Sequence, residues 1–270
     1  MRLQLIDVAL SSLDNVGDNA KKVTLSLEGS RIAEVIGRSD LQAHFMAKAA
    51  EHIMLQVGLW QHSRSMLKLA PHWFQFATET DKKEHESLTT LIEQLERKIN
   101  ALLVQANTLS ERSGDKRIQA SVLMSNGSIE AARYLQYKMG CMRGVRAKIW
   151  TMFELAHYPF FENLLTFSNG DSQKLTAYVR SYTNSFLKAA RFCEEVNDPL
   201  AGYVYYNLAI HLKSAYRFGA ARRSLRKARN IALKHNDAAL LPQLKALEKY
   251  IKAKNRDIPD YLSGETRELN

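Results

Sequence analysis

Apolar residues along this chain recur at three- and four-residue spacing. Leu3, Ile6, Leu10 and Leu13 form one stripe, with Asp7 and Asp14 lying off it. Leu88, Leu91, Leu95, Ile99, Leu102, Ala106 and Leu109 form a longer one among Lys, Glu and Arg positions, predicting a long helix near 81–112. Tyr205, Leu208 and Leu212 follow the same rule, as do Leu225, Ala228 and Ile231. Each stripe is the mark of an amphipathic helix with one buried side. The prolines at 71, 159, 199, 242 and 259 fall at or near the expected boundaries. Residues 22–36 read two ways. Val23–Leu27, Gly29 and Ile32–Ile36 alternate as a hairpin would, while Ala20, Val23, Leu27 and Ala33 suit a helix ending at Gly37. A recurrent linker favours the helix.

That linker is a Gly or Asn followed by an acidic cap. It occurs as Val35-Ile36-Gly37-Arg38-Ser39-Asp40, as Ser113-Gly114-Asp115, as Val196-Asn197-Asp198 and as His235-Asn236-Asp237. Gly and Asn tolerate the left-handed backbone that ends a helix. Asp accepts from the free N–H groups that open the next. Positions 37, 114, 197 and 236 stand 77, 83 and 39 residues apart, which suggests two, two and one units of about 40 residues, each a pair of helices. The weaker Thr78-Glu79-Thr80-Asp81 supplies one missing link.

This spacing resembles the tetratricopeptide repeat in its longer variety, as found in sensor domains of bacterial regulators. The match is best at Tyr205-Tyr206-Asn207-Leu208-Ala209, Leu212, Phe218, Ala221, Leu225 and Ala228. Alanines 209, 221 and 228 stand where helix backbones approach closely and larger side chains would overpack. A second match runs Ala47, Ala50, Met54, Gly58, Trp60, Ser63, Leu67, Ala70; a looser third runs Ile129, Ala132, Gln136, Gly140, Met142, Val145, Ile149, Met152. The resemblance implies an all-α, right-handed α-solenoid of antiparallel helix pairs, about five or six of them. One domain is expected over 1–256, with a flexible tail at 257–270. Residues 153–171, crowded with Phe153, His157, Tyr158, Phe160, Phe161 and Phe167, depart from the pattern. They read as an irregular, core-plugging connection or as an aromatic patch for a partner.

Composition narrows the function. Hydrophobic residues make up 46% of 270, enough for a sizeable core. No stretch approaches 18 apolar residues, so no membrane span is expected. Two cysteines, Cys141 and Cys193, make no disulfide framework, and a reducing cytoplasm is the expected compartment. No zinc-binding spacing, phosphate-binding glycine loop or nucleophile elbow occurs. Gly140-Cys141-Met142-Arg143-Gly144 lies in a helical stretch. No metal, cofactor or catalytic constellation is expected, and the chain reads as non-enzymatic.

Binding is the better prospect. In a stack of helix pairs the first helices line one face. The equivalent positions are Phe45, Lys48 and His52; Glu130, Tyr134, Tyr137 and Lys138; and Tyr203, Tyr206, Asn207, Ile210 and Lys213. Aromatics beside Lys suit an extended peptide, and the resemblance implies that Asn207 holds a peptide backbone or terminal carboxylate. Several of these tyrosines read equally well as core.

Charge adds a second surface. The net charge is +10, and residues 201–270 hold 14 Lys/Arg against 6 Asp/Glu. Arg217, Arg222, Arg223, Arg226, Lys227, Arg229 and Lys234 flank the stripe Leu225, Ala228, Ala232. These cations read as a solvated helix face, a docking surface for an acidic protein segment, or a phosphate-binding patch. The leading expectation is a protein- or peptide-binding scaffold or sensor module of a regulatory protein; the alternative is a nucleic-acid-associated adaptor using the basic C-terminal third.

Overall fold

The computed structural model describes residue 6 and residues 9–10, 18–74, 79–141 and 169–256. Among these residues every regular element is a helix: α1 Asn19–Val35, α2 Ser39–Phe74, α3 Glu79–Ser113, α4 Lys116–Cys141, α5 Asn169–Glu195, α6 Leu200–Ser214, α7 Phe218–Lys234 and α8 Leu240–Arg256. The described residues are therefore all-α, and of the 22–36 segment residues 22–35 are helical with Ile36 as the C-cap. The aromatic run at 153–168, the positions of the third repeat match from Met142 on, and the tail at 257–270 lie outside the described residues. The chain divides into two compact units, Met1–Ala132 and Arg133–Asn270, with the division falling within α4.

In the first unit α1 ends at the glycine that its pattern singles out. Gly37 has φ +70°. Its N–H donates to Glu34 O at 3.0 Å, and Arg38 N–H donates to Ala33 O at 2.9 Å. These paired bonds close a Schellman motif, which needs the left-handed conformation that glycine adopts without strain. The chain turns back and α2 packs against α1, with Gly29 under the Phe45 ring. Phe45 also gathers Ile6, Leu10, Leu25, Ile32 and Leu41.

Helix α2 is packed from several sides. Ala49, Ala50, Ile53, Met54 and Val57 meet Ile92, Ile99 and Leu102 of α3 and Ile129 of α4. Ala43 and Ala47 meet Ala106 and Val122. The interval between Gly37 and Gly114 holds one pair of long helices, 36 and 35 residues, where linker spacing suggests two short pairs. No Gly-Asp or Asn-Asp linker interrupts it, so nothing in the backbone forces an earlier stop. Of the Thr78-Glu79-Thr80-Asp81 link, Glu79, Thr80 and Asp81 open α3, and Thr78 lies outside the described residues.

The second unit repeats the linker more regularly. Asn197 and Asn236 have φ of +52° and +53°. Asp198 N–H reaches Cys193 O at 2.8 Å, and Asp237 N–H reaches Ala232 O at 2.9 Å. Each Asp then caps the next helix. Asp198 Oδ1 accepts from Leu200 N at 2.9 Å, and Asp237 Oδ1 from Ala239 N at 3.1 Å and Leu240 N at 3.0 Å. Asp115, in the first unit, does the same for Arg117 N at 2.8 Å. Between Asn197 and Asn236 the chain turns once more at Tyr216, φ +57°, where Arg217 N–H reaches Leu212 O at 2.9 Å.

These turns make α6 and α7 an antiparallel hairpin, and α8 packs against both. Val204, Tyr205, Leu208, Ala209 and Leu212 of α6 are buried with Ala221, Leu225, Ala228 and Ala232 of α7. Alanine at these α7 positions lets the backbones approach. Cys193 is buried, with Tyr182, Phe186, Ala189 and Ala190 forming the rest of the buried stripe of α5.

Candidate functional site

Helix α6 has two working sides. Its fully buried stripe faces the hairpin core, and a second stripe, Tyr203, Tyr206, Asn207, Ile210 and Lys213, is half-buried. The second stripe keeps the helical spacing of i, i+3, i+4, i+7, so its members stand above one another on one face. Tyr206 and Asn207 make no hydrogen bond among the described residues. Lys213 Nζ lies 4.8 Å from the centroid of the Tyr250 ring, joining α6 to α8 by a cation–π contact. Burial pushes the Lys213 ammonium below its ordinary value. Tyr203 is engaged with the linker, its hydroxyl donating to Asp237 Oδ1 at 3.3 Å. Burial and that bond hold its pKa up.

The candidates on α4 are more deeply set. Tyr134, 7% exposed, stacks edge-on against Tyr182 at 6.2 Å and belongs to the core. Tyr137 is half-buried, donates to Asp171 Oδ1 at 2.8 Å and carries Lys174 Nζ 4.2 Å above its ring. Lys138 is 5% exposed, its Nζ 4.4 Å from the Tyr216 ring centroid. Glu130 is half-buried in the first unit. Around Tyr182 sequence reasoning missed a polar–aromatic cluster. The Tyr182 hydroxyl donates to His211 O at 3.3 Å, and Phe186 stacks on the His211 ring at 5.4 Å. Burial pushes the Tyr182 hydroxyl far up. Only the i, i+4 spacing of Tyr182 and Phe186 hinted at it.

The candidates on α2 need correction. Phe45 is 0% exposed and His52 is buried; both are interior residues, because α2 is packed from several sides and its apolar positions run round the helix. Lys48 pairs with Glu51 at 2.9 Å. Ser125 donates to the same carboxylate oxygen at 3.1 Å. Burial raises the Glu51 carboxyl, but Lys48, His52 and Ser125 outweigh it and hold the group below its usual range. Beside it His44 Nδ1 lies 2.9 Å from Ser121 Oγ. Burial, with Lys48 adding, pushes His44 down to about 4. The Glu51–Ser125 and His44–Ser121 contacts tie α2 to α4.

The cations of α7 are the most open. Arg217, Arg223, Arg226, Lys227, Arg229 and Lys234 are exposed and Arg222 is half-buried. Arg229 reaches Glu248 at 3.4 Å. Lys227 donates to the Tyr205 hydroxyl at 3.3 Å, and Lys234 to Asn197 Oδ1 at 2.6 Å. Among the described residues no group of three or more His, Cys, Asp and Glu is placed to hold a metal ion, and no helix is long and apolar enough to cross a membrane. No family model, curated protein or solved structure matches the chain.

Proposed function

We propose that the chain is a non-enzymatic peptide- or protein-binding module of a regulatory protein, built as a right-handed stack of tetratricopeptide-like helix pairs. Its binding surface is the second stripe of α6. The carrying observation is that Tyr206 and Asn207 stand half-exposed on the same face as Ile210 and Lys213 with no hydrogen bond among the described residues. An aromatic, an amide and a cation on one rigid helix supply apolar area, backbone hydrogen bonding and charge register to an extended ligand. The 39-residue linker spacing around α6 and α7 and the packing of α8 on both helices support the repeat reading.

The test is a random-peptide display selection on the full chain, followed by fluorescence anisotropy of the selected peptides. Tyr206→Ala/Asn207→Ala should weaken binding by at least about tenfold, or roughly 1.4 kcal/mol, while leaving the melting temperature within a degree or two. Selected peptides that bind this variant as tightly as the parent would refute the α6 surface.

A further inference from the structure

From Pro199 to Asn236 the chain contains eight Lys/Arg and no Asp or Glu. This acid-free run is the whole α6–α7 hairpin. Within α7, Arg222 and Arg226 are four residues apart, as are Arg223 and Lys227; Arg223, Arg226 and Arg229 follow at threes. Like charges at these spacings repel across one turn and oppose the helix that carries them. Among the described residues Arg229 pairs with Glu248, which leaves most of this repulsion in place. Arg223 and Arg226 have no hydrogen-bond or ion-pair partner among the described residues, and Arg222 Nε is buried with no hydrogen-bond partner.

The same face carries an apolar side chain that a purely electrostatic surface has no use for. Leu233, seven residues on from Arg226 and so on the same side of the helix, is 57% exposed. It stands at the C-terminal end of a cationic ridge, where Lys234 bonds Asn197 Oδ1 at 2.6 Å.

We infer that the outer face of α7 docks an acidic protein segment whose carboxylates meet Arg223, Arg226 and Lys227 and whose apolar anchor covers Leu233. Guanidinium forks match carboxylates bidentately, and a polyanion relieves the repulsion within α7. A protein segment fits better than a nucleic acid for two reasons. Contacts to backbone phosphates gain nothing from an exposed Leu. Single-strand binders also present aromatic side chains for stacking, and α7 beyond the buried Phe218 has none. This surface is independent of Tyr206 and Asn207, which lie on α6.

The test uses the full chain and four labelled probes of equal charge: a Glu/Asp-rich peptide bearing two leucines, the same peptide with serines in their place, a duplex DNA and a single-stranded oligonucleotide. Affinities are measured by anisotropy at about 50 and about 200 mM salt. The leucine-bearing peptide should bind most tightly. Arg223→Glu/Arg226→Glu should weaken it by at least about tenfold, and Leu233→Ser by about threefold for that peptide only. Circular dichroism of both variants, and the milder Arg223→Gln/Arg226→Gln, separates loss of docking from loss of fold. Tighter binding of either nucleic acid, indifferent to Leu233→Ser, would overturn the inference in favour of phosphate recognition. Peptide binding that survives charge reversal, or the absence of peptide binding, would overturn it outright.

Discussion

The Phe45 ring lies directly over Gly29: a Cβ on that glycine would stand 2.8 Å from Phe45 Cδ1 and 2.9 Å from Cγ. Phe45 is fully buried and cannot swing away. Gly29→Ala should therefore cost about 1–3 kcal/mol by overpacking, read as a lower denaturant midpoint at unchanged slope. Gly202 makes a useful contrast. Its added Cβ would meet Leu240 Cδ2 at 2.9 Å, but that atom is the end of a flexible side chain. Gly202→Ala should be milder than Gly29→Ala, and equal losses would contradict the distinction.

Ser26 is fully buried on α1, and its Oγ has no hydrogen-bond partner among the described residues. Its hydroxyl has given up water for nothing. Ser26→Ala should stabilise the chain by up to about 1 kcal/mol. A loss of stability on thermal melting would mean that the hydroxyl is satisfied.

Acid should weaken the first unit in two stages. His44 has its folded pKa pushed down to about 4 from 6.5, so the unfolded chain binds its proton first. Its contribution is complete above pH 6.5 and is lost as pH falls toward 4, amounting to at most about 3 kcal/mol. Glu51, also held below its ordinary value, adds a loss that begins near its unfolded value and deepens as pH falls. Urea melts from pH 7.5 to 4 should show this slope, and His44→Gln should flatten its upper part.

The linkers make a local prediction. Asn236→Ala keeps the Cβ at φ +53° but removes the short polar side chain that lets Asn tolerate this left-handed region. It should cost about 1 kcal/mol, whereas Asn236→Gly should be near neutral. Asp237→Ala removes two cap bonds and the Tyr203 bond and should cost about 1–2 kcal/mol.

These linkers also show what was legible in the sequence. Gly37, Gly114, Asn197 and Asn236 all carry positive φ, because few residue types tolerate that backbone. Tyr216 carries it too and was missed. No property of a tyrosine announces it; the turn is held by Phe218 edge-on to its ring at 5.9 Å and by Lys138 above it. The long helices α2 and α3 were hidden for the opposite reason, since repeat spacing says where chains turn and not how many helices lie between. Tyr134 and Tyr206 looked alike in pattern. One is core and the other half-exposed because Tyr182, 48 residues along the chain from Tyr134, covers only the first.

The bonds at Asn197-Asp198 and Asn236-Asp237 join one helix end to the next start across four and five residues. One residue inserted there would separate the left-handed position from its cap; one inserted within α6 or α7 would rotate everything beyond it by about 100° and turn buried stripes outward. The C-terminal half of this protein thus has a quantised length. A single amino acid gained or lost there changes which side of every later helix faces inward.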